Sequence, residues 1–348
     1  MWNKLILFSD WLMRIWQTRC SQCALLTLTY VYSAILSKCF IRTLLFDTVE
    51  IGMLNSMFLA VADKVNIDFV KLEWYQVVIL GIVQGITELL PISSTAHLRI
   101  VPQLLGWDVD PGTAFSAAMQ LASLVAVVSY FWQDIKKLSG ETFRAIAERN
   151  YQSSQAQLVL GLILGTLPLA VVGLLVKKSI NAPDSPFRTL QVIGIASIVM
   201  SLLLALAEIQ GKRDREFNQL TIKDGILVGI AQAFALIPGV SRSGSTLTAG
   251  LWLRMERETA ARFSFLLGLP AVILAGALEI HELLKAGLDG HGWLILFIGL
   301  TSASISAFLA IYGLLRYLEQ RSTWIFVWYR LAMGVFLLVG VSVGFLHN

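Results

Sequence analysis

Cysteine is nearly missing from this chain. Its three copies, Cys20, Cys23 and Cys39, all lie in the first 39 residues, so the rest of the sequence has neither a disulfide framework nor a cysteine nucleophile. Cys20 and Cys23 have the spacing of a metal or redox pair, but no second pair and no histidine lies near them. Charge is scarce as well. Asp, Glu, Lys and Arg make up 14% of the residues and apolar residues 56%, with a mean hydropathy of +0.70. A water-soluble core does not need that much apolar sequence, so the composition is that of a polytopic membrane protein. The net charge of +4 is ordinary for that class, and no basic stripe with interleaved aromatics argues for a nucleic-acid partner. GxSxG, HExxH and Walker A sequences are absent. Asp108–Thr113 approximates an aspartyl-phosphatase loop, but its threonine comes one place late and no strand precedes it.

What is present is apolar sequence of bilayer-crossing length. Six stretches, at about 114–132, 158–176, 190–207, 263–280, 293–315 and 324–345, qualify, and the last carries Arg330. Two further apolar segments are interrupted near their middles, one by Pro91 and the other by Pro238-Gly239. They repeat each other. Gly81-Ile82-Val83-Gln84 opens one and Gly229-Ile230-Ala231-Gln232 the other, 148 residues later, and Phe115-Ser116 recurs as Phe263-Ser264 at the same offset. Broken helices at membrane depth persist only where they are buried in protein or line a cavity. Paired broken segments point to a site between repeats.

If each broken segment turns back within the membrane, loops 133–157, 208–224, 254–262 and 316–323 share one side and carry 13 Lys/Arg. Loops 177–188 and 281–292 and the approach 63–76 share the other and carry 6. The positive-inside rule makes the first side cytoplasmic and puts the C-terminus outside. Three spans separate the broken segments, so these enter from opposite faces. The expected fold is an all-α polytopic membrane protein with inverted-topology repeats (about 74–207 and 222–346), six full spans and two re-entrant broken-helix pairs. Residues 1–70 lie outside the repeat. Their apolar stretch carries Lys38 and Arg42 and lacks a small-residue cleavage site, which fits a signal peptide poorly. They are read as an extension, dispensable or adding an interfacial helix, ahead of a membrane domain at 71–348.

Polar groups in lipid-like sequence are costly unless paired, so those in the broken segments mark a functional site. Gln84 and Glu88 are four residues apart and share a helix face. Pro91 ends that helix and Ser93-Ser94-Thr95 follow, where hydroxyls and the free N–H groups of a new helix start attract phosphate. His97 falls two or three residues into the new helix. In the second segment Ser241-Arg242-Ser243-Gly244-Ser245 forms a hydroxyl-rich turn with a guanidinium able to fork onto phosphate oxygens and a glycine for close approach. Brought face to face, the two turns supply an anion clamp, a nucleophile, a proton shuttle and a carboxylate, the set that phosphoryl transfer requires. Each group also has a plainer reading. Serine after proline is usually a helix cap, Gln84 can bridge helices, a membrane histidine can be a satisfied hydrogen-bonding group, and Arg99 can reach for the interface. Glu88 and Arg242 are the hardest to explain that way. His281, His291 and His347 fall in loops or the tail and take no role.

Gln84-x-x-x-Glu88 with Pro91-x-Ser-Ser-Thr-x-His97, and Pro238-Gly-x-Ser-Arg-Ser-Gly244, resemble the motifs of the undecaprenyl-diphosphate phosphatase family, the bacitracin-resistance type. The likeness spans about residues 74–346. It implies an interlocked inverted-repeat fold in the bacterial plasma membrane, with the site facing the outer side. It implies hydrolysis of undecaprenyl diphosphate to undecaprenyl phosphate and inorganic phosphate, recycling the cell-wall lipid carrier and conferring bacitracin resistance. It implies help from a divalent cation, Mg or Ca, with Glu88 as the metal residue here. The implied partners are the polyprenyl diphosphate lipid and membrane lipids, with no nucleic acid and with a homodimer as a candidate assembly. By matching position, Glu88, Ser94, His97 and Arg242 become catalytic, Thr95, Ser241, Ser243 and Gly244 bind phosphate, and Gln84 and Ser93 support them.

Two positions depart from the family pattern. Gln84 offers no carboxylate at the first motif position, and Ala96 replaces a common glycine, adding a methyl group at a tight turn. Two nucleophiles stay open. One is Ser94, activated by His97 or Glu88, which is favoured; the other is His97 itself, by way of a phosphohistidine. A polyprenyl-phosphate transporter is the rival reading, because inverted repeats with broken helices are transporter architecture. A lipid phosphatase of the acid-phosphatase type would need a second histidine after its arginine motif, and the nearest, His281, lies 39 residues past Arg242.

Overall fold

The structure is a computed structural model that describes residues 68–107, 112–150, 152–181 and 185–347. The extension read at 1–70 falls almost wholly outside the described residues, as does most of the Asp108–Thr113 loop. Among the described residues the regular structure is helical, apart from one isolated bridge between Arg215 and Met255. The first broken segment is α1 (Trp74–Leu89) followed by α2 (Ser94–Leu104). Glu73 and Gln76 start α1 with a reciprocal capping box, and the backbone of Leu90 is extended, as a residue before proline must be. Then come α3 (Gly112–Tyr130), α4 (Trp132–Ala147), α5 (Ser154–Asn181) and α6 (Leu190–Gln210). The second broken segment is α7 (Ile222–Ala233), a short 3₁₀ turn at Phe234–Leu236, and α8 (Arg242–Trp252). The chain ends with α9 (Arg257–Ala286), α10 (Gly290–Leu318) and α11 (Trp324–Ser342).

Five helices are each long and apolar enough to cross a bilayer: α5 over Ser154–Val176, then α6, α9, α10 and α11. A sixth is reached if α3 and α4, which meet at a bend of 74°, count as one span. The expected span at 114–132 falls on α3, whereas residues 132–147, expected as loop, form the amphipathic helix α4. Its charged residues rule out lipid on all sides but not helix, and hydropathy alone had conflated the two. For the same reason α9 and α10 run past their apolar stretches to Ala286 and Leu318. The result is an all-α multi-pass membrane protein. Large apolar side chains on its outside, among them Leu175 at 78% exposure and Phe297 at 67%, suit a lipid environment and would be a liability in water.

The repeat persists in the backbone. α1 and α7 begin 148 residues apart, as do α2 and α8, which are both 11 residues long. α1 packs along α10 and α7 along α5, so each broken segment leans on a long helix from the other half of the chain. Small residues make both contacts possible. A Cβ on Gly85 would lie 2.3 Å from the Ala303 carbonyl oxygen, and one on Gly225 would lie 2.1 Å from that of Gly161. α6 and α11 run antiparallel, joined by Ser197 Oγ donating to the Arg330 carbonyl (3.1 Å) and Ser201 Oγ to that of Val327 (2.7 Å). Phe69, fully buried, packs with Leu72, Val77, Phe115 and Met119, so the helical body takes in residues ahead of 71. At the other end of α6, buried Glu208 binds Arg257, Arg213 and the Thr323 hydroxyl, fixing α6 to the starts of α9 and α11.

Candidate active site

Interrupting a helix leaves carbonyl and N–H groups without partners, and burying them so is costly. The two breaks satisfy each other. Ser243 Oγ, at the start of α8, lies 2.9 Å from the Leu90 carbonyl and 3.2 Å from that of Glu88. Arg330, 1% exposed in the middle of the fold, donates through Nη1 to Pro91 O (3.1 Å) and through Nη2 to Gly239 O (2.9 Å) and Val240 O (3.0 Å). One guanidinium thus ties both breaks together. Gly244 must be glycine to make room for it, since a Cβ there would sit 2.9 Å from Arg330 Nη1. Ser93 and Ser241, again 148 residues apart, both adopt positive φ, 74° and 70°, a conformation that strains a residue with a side chain and that clusters at functional sites.

Glu88 is where the halves meet chemically. Its Oε2 accepts from Ser94 Oγ at 2.6 Å and from Gln84 Nε2 at 3.1 Å, and its Oε1 accepts from Arg242 Nη2 at 2.9 Å. The Ser94 hydroxyl therefore points its proton at a carboxylate that is itself held by a guanidinium from the opposite break. His97 lies 7% exposed beside them. Its Nδ1 is 2.8 Å from the Ser93 carbonyl and its Nε2 is 2.6 Å from the Tyr329 hydroxyl. A carbonyl can only accept, so Nδ1 carries the proton.

The two helix starts differ in a way that matters for an anion. Ser241 caps α8, its Oγ accepting from Gly244 N–H at 3.1 Å. Ser93 makes no such cap on α2, and its buried Oγ has no partner. The first turn of α2 is thus left open to a ligand, with Thr95 exposed at its rim. Gln84 Oε1 is a second buried atom without a partner at the site. Two guanidinium groups, Arg242 and Arg330, stand here against the single carboxylate of Glu88, so the site carries a surplus of positive charge that suits an anion.

Of the residues expected from sequence, Gln84, Glu88, Ser94, Arg242 and Ser243 come into direct contact. Ser243 uses its one proton on backbone carbonyls and Gly244 uses its N–H on Ser241, so both shape the turn. Arg99 donates to the Arg188 carbonyl, tying α2 to the turn before α6. The sequence reading gave no role to Arg330 or Tyr329. A guanidinium in an apolar span is itself a signal of function; a tyrosine near a span end is not, because membrane interfaces are rich in them. Both Glu88 oxygens already take donors. Among the described residues, no group of three or more His, Cys, Asp or Glu side chains is placed to hold a metal ion.

Comparison with known proteins bears on these same residues. The profile of the family described as Bacitracin resistance protein BacA matches residues 77–336, a range that holds every site residue. Undecaprenyl-diphosphatase 2 of Mesorhizobium japonicum is 56% identical over 263 residues, covering 76% of this chain and 99% of that protein. Undecaprenyl-diphosphatase of Trichormus variabilis is 54% identical over 274 residues, 78% of this chain and 85% of that one. The protein of the same name from Trichodesmium erythraeum is 50% identical over 283 residues, 81% and 90% of the two chains.

Proposed function

The chain belongs to the bacitracin resistance protein family, and from that membership and the geometry of its site we propose that it acts on undecaprenyl diphosphate through Ser94. It is an undecaprenyl-diphosphate phosphatase, releasing undecaprenyl phosphate and inorganic phosphate. One observation carries the reading of the site: Ser94 Oγ lies 2.6 Å from Glu88 Oε2 while Arg242 holds the other carboxylate oxygen. Nucleophile, base and cationic clamp thus converge from opposite breaks. His97 is less suited to attack phosphorus, since both its nitrogens are engaged. In this mechanism Ser94 Oγ passes its proton to Glu88 and attacks the terminal phosphorus. The bond from that phosphorus to the bridging oxygen breaks, and undecaprenyl phosphate departs with the electron pair. Arg242 and the open first turn of α2 hold the charge that builds on the transferred phosphoryl oxygens. Water then releases phosphate from Ser94.

A divalent cation does not fit a protein-built cage here, because Glu88 is the one carboxylate and both its oxygens accept hydrogen bonds. A magnesium or calcium ion would be held mainly by the diphosphate itself. For the membrane arrangement, we read α3 as the sixth crossing, with α4 turned away from it on the Lys/Arg-rich side, and the two broken segments as an inverted, re-entrant pair. The shared 148-residue offset of helix starts supports the pairing. The site belongs toward the outer face of the plasma membrane. Arg330 is level with Ser197, only seven residues into α6, which is about 10 Å from the end of α6 opposite the Lys/Arg-rich loops.

Phosphate release from C55 diphosphate by the purified protein in detergent tests the reading. Arg242→Ala should lower it by about 10²–10³ in rate while the protein stays monodisperse, because a charge-assisted clamp is lost in a dry site. Near-wild-type release by that variant would remove Arg242 from the site. No release by the wild type would leave the transporter reading in its place.

A further inference from the structure

We propose that Tyr329 is a proton relay for the second half of the reaction, carrying a proton from the attacking water to His97. The proposal rests on the serine reading above. It begins with a proton count. When Ser94 attacks, its proton moves to Glu88. When the phosphoserine is hydrolysed, the P–Oγ bond breaks and Ser94 Oγ must take that proton back. Glu88 therefore enters the water step protonated and cannot also deprotonate the water. A second base is required, and His97 is the remaining one at the site.

The structure leaves His97 one way to act. Its Nδ1 carries a proton toward the Ser93 carbonyl (2.8 Å), so in the neutral ring the free lone pair is on Nε2, and Tyr329's hydroxyl donates to it at 2.6 Å. The rings lie with planes 8° apart. His97 is 7% exposed and Tyr329 41%, so the phenol runs from the buried imidazole to the surface. Arg330 Nη1 and Nη2 are held by the carbonyls of Pro91, Gly239 and Val240, and Glu88 by Ser94, Gln84 and Arg242. Among the described residues the Tyr329 hydroxyl makes one hydrogen bond, to His97, so its oxygen keeps a lone pair for an incoming water. The step balances. The water oxygen bonds to phosphorus as its proton passes to Tyr329 Oη, while the Tyr329 proton passes to His97 Nε2. The P–Oγ electron pair returns to Ser94, which recovers its proton from Glu88. The imidazolium formed keeps its Nδ1–H on the Ser93 carbonyl and later gives up the extra proton to solvent.

The test is Tyr329→Phe, followed by rapid quench with undecaprenyl diphosphate labelled in its terminal phosphate. The first step should survive, giving a burst of undecaprenyl phosphate. Phosphate release should fall by about 10²-fold, the usual worth of a positioned acid–base group, and acid-stable label should build up on the protein. Unchanged phosphate release, or a burst slowed as much as release, would overturn the relay. An acid-labile label would place the phosphoryl group on His97 and overturn the serine reading together with the relay, whereas failure of the relay alone leaves an acid-stable label in the wild type. If the variant is not monodisperse, the wild type decides: the rate of dephosphorylation in mixtures of H₂O and D₂O should follow a bowed curve, since three protons move in the step, and a straight line would overturn the proposal.

Discussion

Glu88 takes hydrogen bonds from three groups that come from three different places: Gln84 one helical turn away, Ser94 across the first break and Arg242 across the second. Glu88→Gln keeps the volume but replaces one accepting oxygen by a donor, which must then face either Arg242, itself only a donor, or Ser94, whose hydroxyl must turn from donating to accepting. It also removes the base. A fall in kcat of about 10²–10⁴-fold is expected. Gln84→Ala removes one neutral donor worth roughly 1 kcal/mol and should cost less than about tenfold. The comparison is made on monodisperse protein across pH and magnesium concentration. Equal, small losses would mean that Glu88 only holds the breaks together. At this scale the sequence was readable where a local rule applied. The four-residue spacing joins Gln84 to Glu88, but nothing local joins Glu88 to Arg242, 154 residues on. That contact could be anticipated only through the repeat, and the Tyr329–His97 contact could not be anticipated at all.

At the scale of elements, the breaks were the most legible part, because proline dictates the backbone before it and the two segments share a motif. The positive φ of Ser93 and Ser241 was not legible, since sequence alone favours glycine in that region. Helix ends were misplaced wherever a helix leaves the lipid, and α4 was taken for loop. The close contacts that hold the broken segments can be tested. Alanine at Gly225 would place a methyl carbon 2.1 Å from the backbone oxygen of Gly161. A backbone atom in a packed helix cannot yield, so α7 and α5 must part. Overpacking of this kind typically costs about 1–3 kcal/mol or more. Gly225→Ala should lower the melting temperature in detergent and reduce activity too, because α7 carries the second break. Gly140→Ala is the control: nothing lies within 4 Å of its added carbon, and it sits in helix α4, so stability should hold or rise by about 0.4–1 kcal/mol. Equal stability of the two variants would mean that the α5–α7 contact is looser than this packing requires.

For the whole molecule, composition was enough to give a multi-pass helical membrane protein, and the 148-residue repeat anticipated the matching helix starts of the two broken segments. The bend between α3 and α4 was not legible, since a 74° turn at Phe131 leaves no mark in an apolar count. Nor did motif counting show where the catalytic body begins. Phe69 and Leu72 are buried under Phe115, so the body needs residues just ahead of the first broken helix. The contacts described at the site are made by residues from Gln84 onward. In the Mesorhizobium japonicum relative, 263 aligned residues, 76% of this chain, account for 99% of its length. A chain starting at Met57 keeps Phe69, every helix described above and every site residue. It should insert into the membrane, purify as a monodisperse protein and release phosphate with unchanged kcat and KM. A chain starting at Trp74 loses two side chains whose burial is worth about 1.5–3 kcal/mol each, and its melting temperature should fall measurably below that of the Met57 form. If instead the Met57 form fails to fold while the full chain folds, residues 1–56 are part of the catalytic body, and the domain boundary drawn here is wrong.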